Sequence, residues 1–314
     1  MSDKPSIAFI GTGVMGRSMA GHLMAAGHAL HVFNRTKEKA RPLLDSGADW
    51  HPSAGSTAAQ AEIVITMLGF PRDVEETYLG KGGIVEKAGQ GALLIDMTTS
   101  SPTLACRIWE AASAKGLQAL DAPVSGGDVG AREARLVIMA GGDDAAFERA
   151  RPVLSLLGKN LALHGPAGAG QHCKMANQIA CAVGMVAWCE ALAYAKRAGL
   201  DPARVLGSIS GGAAGIWAMT NLGPRALPGQ SPRRAPAGQG LSWPSCPRAL
   251  GGDFAPGFYV KHIRKDIGIA IRCAEEMKLE LPGLGCARML YDRVAGKGWE
   301  EFGTQVLYRL YTSL

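Results

Sequence analysis

A chain of 314 residues with 47% hydrophobic and 19% charged content is long enough for two domains and apolar enough to bury a large core, which points to a soluble globular protein. Seven scattered cysteines without a C-x-x-C pair argue against a disulfide framework or a zinc site; no basic start leads into an apolar run and no stretch of about 18 uninterrupted apolar residues occurs, so no membrane partner and a cytoplasmic setting are expected. Of the net charge of +6, Arg233, Arg234 and Arg248 of one atypical segment supply three; the rest balances at 30 basic against 27 acidic residues, which gives no reason to expect nucleic acid.

The first element is a short apolar strand beginning at Ser6 that runs into the turn Gly11-Thr12-Gly13-Val14-Met15-Gly16, followed by the helical pattern RSMAGHLMAAG. In this strand-turn-helix setting G-x-G-x-x-G reads as a dinucleotide site. Gly11 permits the tight turn, Gly13 lets backbone approach a pyrophosphate, and Gly16 lets the helix lie close to its strand, with the helix N-terminus facing the phosphates. The second strand, His28 to Asn34, ends on Asn34 where NAD-specific sheets usually place Asp or Glu. Without a carboxylate there to repel a 2′-phosphate, and with Arg35, Thr36 and Lys37 following, NADP(H) is preferred and NAD(H) stays possible. The alternative is that Arg35 and Lys37 are simply solvated at a helix start.

Four more strands are expected at Ile63 to Leu68, Ala92 to Met97, Leu117 to Ala122 and Leu136 to Ala140, with helical segments between them. The alternation predicts a Rossmann-type α/β domain with a doubly wound, mostly parallel sheet. Met67, Leu68 and Thr99, at the ends of the third and fourth strands, are placed where the nicotinamide end of the cofactor would lie.

Three stretches combine flexible backbone with polar groups: Asp121-Ala-Pro-Val-Ser125-Gly126-Gly127, Gly168-Ala-Gly-Gln-His-Cys-Lys174-Met-Ala-Asn177, and Phe258 to Asp266. A Ser-Gly-Gly after a strand offers a hydroxyl and amides to a carboxylate, though it also fits an ordinary turn. Lys174 and Asn177 are three apart at the start of a long helical pattern that ends at Gly199, so they share a face; a lysine near a helix N-terminus suits proton transfer, and a solvated surface lysine is the alternative. On that helix Cys181, Met185, Trp188 and Cys189 read as packing residues, and Asp201-Pro202 reads as the cap and first turn of the next helix.

The segment from Pro224 to Leu250 differs in kind. It begins and ends with Pro-Arg-Ala-Leu, and between Pro228 and Pro247 it holds five prolines with only Leu241 and Trp243 as large apolar residues. It is expected to be a solvated loop inserted in the second domain, because removing Pro228 to Leu250 rejoins Leu227 to Gly251 in an orderly sequence.

The fingerprint with Asn34-Arg35-Thr36, the DAPVSGG stretch, the G-x-G-x-x-x-K-x-x-N stretch and the late Lys265-Asp266 together resemble the β-hydroxyacid dehydrogenase family along nearly the whole chain. The resemblance implies a Rossmann NADP-binding domain over residues 1–165 and, over 166–314, an all-α domain joined by a long interdomain helix. The second domain would contribute to the substrate pocket and to a homodimer or homotetramer contact.

It further implies that Lys174 is the general acid/base, that Ser125, Gly126, Gly127 and Asn177 contact substrate, that Thr99 and Lys265 serve the cofactor, and that Phe258 and Asp266 lie in or beside the active site. The reaction implied is hydride transfer between NADP and a short carboxylate bearing a 3-hydroxy or aldehyde group, with no metal. Relatives with tyrosine or aspartate in place of the lysine reduce imines, so Lys174 favours a carbonyl substrate. The rival reading is a non-catalytic nucleotide-binding scaffold of the same fold, impaired by the insertion.

Overall fold

The computed structural model describes residues 4–227 and 252–312, which fall into two compact units, Met1–Ala176 and Asn177–Leu314. The first is built on strands β1 (Ile7–Ile10), β2 (Leu30–Phe33), β3 (Asp49–Trp50), β4 (Ile63–Thr66), β5 (Leu93–Asp96), β6 (Gln118–Asp121), β7 (Val124–Ser125), β8 (Leu136–Gly142) and β9 (Gly158–Leu163). They make one sheet in the order β3-β2-β1-β4-β5-β6-β8-β7, with β9 also paired to β8. From β3 to β6 every pairing is parallel, and the order reverses at β1, which pairs β2 on one side and β4 on the other. This is the doubly wound Rossmann arrangement, whose ligand crevice opens at the carboxyl ends of β1 and β4. Beyond β6 the sheet turns partly antiparallel: β8 runs against β6 and β7 and along β9.

Apolar runs such as IAFI, IVIT and LLID are buried residue by residue because helices cover both faces of the sheet. Alternate side chains feed two separate cores: Ile7, Phe9, Ile63 and Ile65 go to one, and Ala8, Ile10 and Val64 to the other. The six strands expected from sequence are present, most of them one or two residues shorter. Three are additional: β3 and β7 have only two residues each, and β9 begins Gly-Lys-Asn with two exposed residues, so none carries an apolar run that would mark it.

The described part of the second unit is helical, with helices Pro202–Ile209, Trp217–Ala226, Val260–Glu276 and Pro282–Gly296 following the 29-residue helix Ala169–Arg197. Asp201 caps its helix by accepting the Ala203 amide at 2.9 Å, with Pro202 in the first turn, and Gly199 takes the left-handed φ of +77° that ends the long helix. Length and composition alone would let Ala169–Arg197 cross a membrane, but Met185, Trp188, Cys189 and Leu192 are buried core residues, with Trp188 stacked on Tyr308. Cys181 departs from the expectation. It is exposed and lies 3.5 Å from the Asn177 amide nitrogen, off the buried stripe that runs past it through Gln178, Ala182 and Met185.

The Pro228 to Leu250 loop expected from sequence lies outside the described residues. On its two sides, the Asp253 amide donates to the Arg225 carbonyl at 2.7 Å, the buried Arg225 guanidinium binds Asp253 Oδ2 at 2.8 Å and the Ala255 carbonyl at 2.7 Å, and Gly252 has φ +76°. In a chain lacking residues 228–250, Arg225 and Asp253 would be first and sixth in a run whose fifth residue is a left-handed glycine, the pairing that closes a helix C-terminus. A variant without Pro228 to Leu250 is therefore expected to fold and to keep its cofactor affinity, with Tm unchanged or a few degrees higher, since shortening the connection recovers about 1 kcal/mol of closure entropy. Thermal melts of both proteins check this, and an unfolded deletion variant would show the segment to be integral to the fold.

Candidate active site

The turn after β1 leaves little latitude for side chains. Gly11 has φ +98°, and a Cβ on it would sit 2.3 Å from the Met67 carbonyl oxygen; one on Gly16 would sit 1.9 Å from the Gly11 carbonyl oxygen. Gly13 differs, since a Cβ there would meet nothing within 4 Å. It is also the N-cap of helix Val14–Ala25, which has no side-chain cap, and Val14 is half exposed. Open space over uncapped helix amides, next to a Thr12 hydroxyl that is buried without a hydrogen-bond partner, fits a dinucleotide pyrophosphate. Asn34 is engaged in shaping this turn: its side-chain oxygen accepts the Thr12 amide at 3.0 Å and its nitrogen donates to the Thr36 carbonyl at 2.8 Å.

Asn34 leaves no carboxylate at the end of β2 itself, but one reaches Arg35 from elsewhere in the fold. Folding brings Asp73, from the first turn of helix Pro71–Leu79, to 3.1 Å from the Arg35 guanidinium. Lys37 lies over the Trp50 ring, 4.1 Å from its centre. Neither contact is visible locally, because the Asp73 partner is 38 residues away.

Past β4 and β5 the chain is tied by short polar links that set Met67, Leu68 and Thr98, the neighbour of Thr99. The Met67 amide donates to Ile10 O at 2.9 Å, the Leu68 amide to Thr98 Oγ1 at 2.9 Å, and Asp96 Oδ1 accepts from Thr66 Oγ1 at 2.7 Å and the Thr98 amide at 3.0 Å. Burial pushes the Asp96 carboxyl up to about 6, against the pull of its bonds from Thr98 and Thr66. The folded state thus holds this proton more tightly than the unfolded chain, whose group titrates near 3.8, so the stabilisation it brings is complete below about pH 4 and is lost as pH rises through about 6. Asp96→Asn is expected to gain stability relative to the native chain between pH 4 and pH 7. Urea midpoints across that range measure it, and a difference independent of pH would show that Asp96 has an ordinary titration.

The helix carrying Lys174 is anchored at its start. Asp121 accepts the Gly168 amide at 2.7 Å through Oδ1 and the Gln171 amide at 2.8 Å through Oδ2, while the Gln171 side chain donates to Thr98 O at 2.8 Å and accepts the Ser100 amide at 2.9 Å. Burial raises the Asp121 carboxyl and these two amide bonds oppose the shift. A Cβ on Gly170 would lie 2.3 Å from Met139 O, so only glycine allows this close seating on the strand ends. Lys174, one turn beyond Gln171, is only 6% exposed, unlike the solvated lysine that a helix surface would present. In the same unit, Ser125 ends β7, and Gly126 and Gly127 take positive φ values of 128° and 63° to start the helix Gly127–Arg132 without a side-chain cap.

In the second unit, Asn177 donates to Gln178 Oε1 at 2.8 Å, Gln178 donates to Asp266 Oδ2, and Lys265 lies 3.1 Å from Asp266 Oδ1. Gln178 and Asp266 are fully buried. Phe258 stacks on His262, whose imidazole is drawn down to about 4 by burial and the neighbouring Lys265 charge and so is neutral at pH 7.

Two family models together span almost all of the chain: the NAD-binding domain of 6-phosphogluconate dehydrogenase matches residues 6–165, and the NAD-binding domain of NADP-dependent 3-hydroxyisobutyrate dehydrogenase matches residues 168–311. The chain belongs to the β-hydroxyacid dehydrogenase family. It is 51% identical to an uncharacterized oxidoreductase of Bacillus subtilis over 98% of this chain and 99% of that one. It is 38% identical to a 3-hydroxyisobutyrate dehydrogenase of Pseudomonas aeruginosa over 96% and 98%. A solved 3-hydroxyisobutyrate dehydrogenase of Mycobacterium tuberculosis, described with L-serine, superimposes with a TM-score of 0.82 at 32% identity, covering 98% of each chain.

As a β-hydroxyacid dehydrogenase, the chain carries a nicotinamide-binding fold and oxidoreductase chemistry acting on CH–OH groups. Around that core the structure adds residues to which sequence reasoning gave no role. Asp121 and Gln171 lay inside motif stretches, but their 50-residue separation hid their bond, and Gln178 sat unmarked beside Asn177. Asp73 had no local signal beyond its place in a helix first turn.

Proposed function

We propose that this β-hydroxyacid dehydrogenase transfers hydride between its cofactor and a short 3-hydroxy acid or a carboxylated aldehyde of semialdehyde or glyoxylate type, with NADPH preferred over NADH and Lys174 as general acid/base. The observation that carries the reading is the position of Lys174, one turn beyond the Asp121 and Gln171 anchor that seats its helix start at the carboxyl ends of β5 and β6, where a doubly wound sheet takes its ligand. The names of the Pseudomonas and Mycobacterium relatives, and the L-serine described with the latter, support a 3-hydroxy carboxylate as substrate class.

In this reading residues 1–165 hold the cofactor, through Gly11 to Gly16, Asn34, Arg35 and Thr36 at its adenosine half and Met67, Leu68 and Thr99 near the nicotinamide, with Lys265 added from residues 166–314. The bound nicotinamide supplies or accepts the hydride. Lys174 gives its proton to the carbonyl oxygen during reduction and removes it during oxidation. Ser125, Gly126, Gly127 and Asn177 hold carboxylate and hydroxyl so that the reacting carbon is fixed before transfer. Asp266 holds Lys265 and, through Gln178, Asn177, while Phe258 supplies an apolar wall. Exposed Tyr194, Met277, Leu279 and Met289 support a homodimer or homotetramer contact through the helical unit. A cytoplasmic setting belongs to the same reading; none of the six cysteines among the described residues is in a disulfide.

A panel of glyoxylate, succinic semialdehyde and tartronate semialdehyde with NADPH and NADH, run beside cofactor binding by fluorescence, tests the proposal. Turnover of at least one substrate, faster with NADPH, is expected. Cofactor binding without turnover of any substrate would favour the non-catalytic scaffold instead.

A further inference from the structure

The guanidinium assigned above to a 2′-phosphate already has a partner. Arg35 is four-fifths exposed at the end of β2, and its Nη1 lies 3.1 Å from Oδ1 of Asp73, whose side chain is only 21% exposed. In a sheet of this order the adenosine ribose of a bound dinucleotide lies at the carboxyl end of β2, so the pair stands where the 2′-position is read. Asp73 is fixed there by its place in the first turn of helix Pro71–Leu79, where the helix dipole favours a carboxylate. Its second oxygen, Oδ2, is buried and accepts no hydrogen bond.

These facts give the two cofactors unequal prospects. A 2′-phosphate reaching Arg35 must compete for the guanidinium with a carboxylate that already holds it at 3.1 Å. A 2′-hydroxyl brings no charge and needs no guanidinium, so the Arg35–Asp73 pair costs NADH nothing. We infer that Asp73, acting through Arg35, restrains the preference for NADP(H) and keeps NAD(H) usable, so that the Arg35–Asp73 pair sets the ratio of the two affinities. The inference rests on the proposed role of Arg35 at the 2′-phosphate.

Dissociation constants for NADPH and NADH, measured by fluorescence on the full-length native chain, Asp73→Asn, Arg35→Ala and the double variant, test it. Asp73→Asn is expected to bind NADPH roughly three- to tenfold more tightly at low salt, with the gain shrinking as salt rises and NADH changing less than about twofold. Arg35→Ala should weaken NADPH much more than NADH, and adding Asp73→Asn to it should bring no gain. NADH binding by each variant reports that the site is folded.

If Arg35→Ala is selective but Asp73→Asn leaves NADPH affinity unchanged, the restraint by Asp73 is wrong and the phosphate reading stands. If the Asp73→Asn gain persists without Arg35, Asp73 acts on the phosphate directly and the inference is overturned. If Arg35→Ala weakens both cofactors equally, the phosphate reading and this inference fall together.

Discussion

Lys174→Ala is expected to slow turnover by roughly 10²–10⁴-fold, the usual worth of a positioned general acid, while leaving NADPH affinity within a few fold. The split follows from placement. Lys174 sits one turn past the Asp121 and Gln171 anchor, whereas the cofactor phosphates are assigned to the Gly11 to Gly16 turn on another element. Removing a buried amine also leaves the anchor intact, so the variant should fold. Steady-state kinetics and a fluorescence titration on the same preparation measure both quantities. A loss of less than about tenfold would show that another group moves the proton.

A second pair of variants separates the fold of the cofactor turn from its use. Gly11→Ala forces a Cβ to 2.3 Å from Met67 O at a φ of +98°, at the joint where β1 meets β4, and is expected to cost several kcal/mol of stability together with cofactor binding. Gly13→Ala places its Cβ where no protein atom lies within 4 Å, so Tm should stay within a few degrees of the native value while cofactor affinity falls at least about tenfold. The contrast is informative because both residues belong to one motif. Undiminished affinity in Gly13→Ala would mean that the pyrophosphate does not approach this turn.

The legibility of the fold differed from element to element for physical reasons. Buried parallel strands such as IAFI and LLID announce themselves as apolar runs between glycine-rich turns, and the Asp201-Pro202 start and Gly199 stop are local capping chemistry. Strand β9, with Lys159 and Asn160 exposed, owes its pairing to β8 rather than to its own composition, and two-residue strands such as β3 have too little sequence to carry a pattern. For the site, Gly11 and Gly16 were legible because only glycine meets their backbone requirements, whereas the close seating of Gly170 on Met139 O shows only in the fold. Arg35 with Asp73 and Asp121 with Gln171 are pairs made by the sheet order, across 38 and 50 residues, and no window of sequence contains either.

The most direct test of the account follows one atom. With NADPH deuterated at the transferable position of the nicotinamide, a substrate from the aldehyde panel and the native enzyme, the product is examined by mass spectrometry. The expected product is a hydroxy acid carrying one deuterium on the former carbonyl carbon, formed by the native chain and at least about 100-fold more slowly by Lys174→Ala. An unlabelled product, or labelled product formed equally fast without Lys174, would contradict the account.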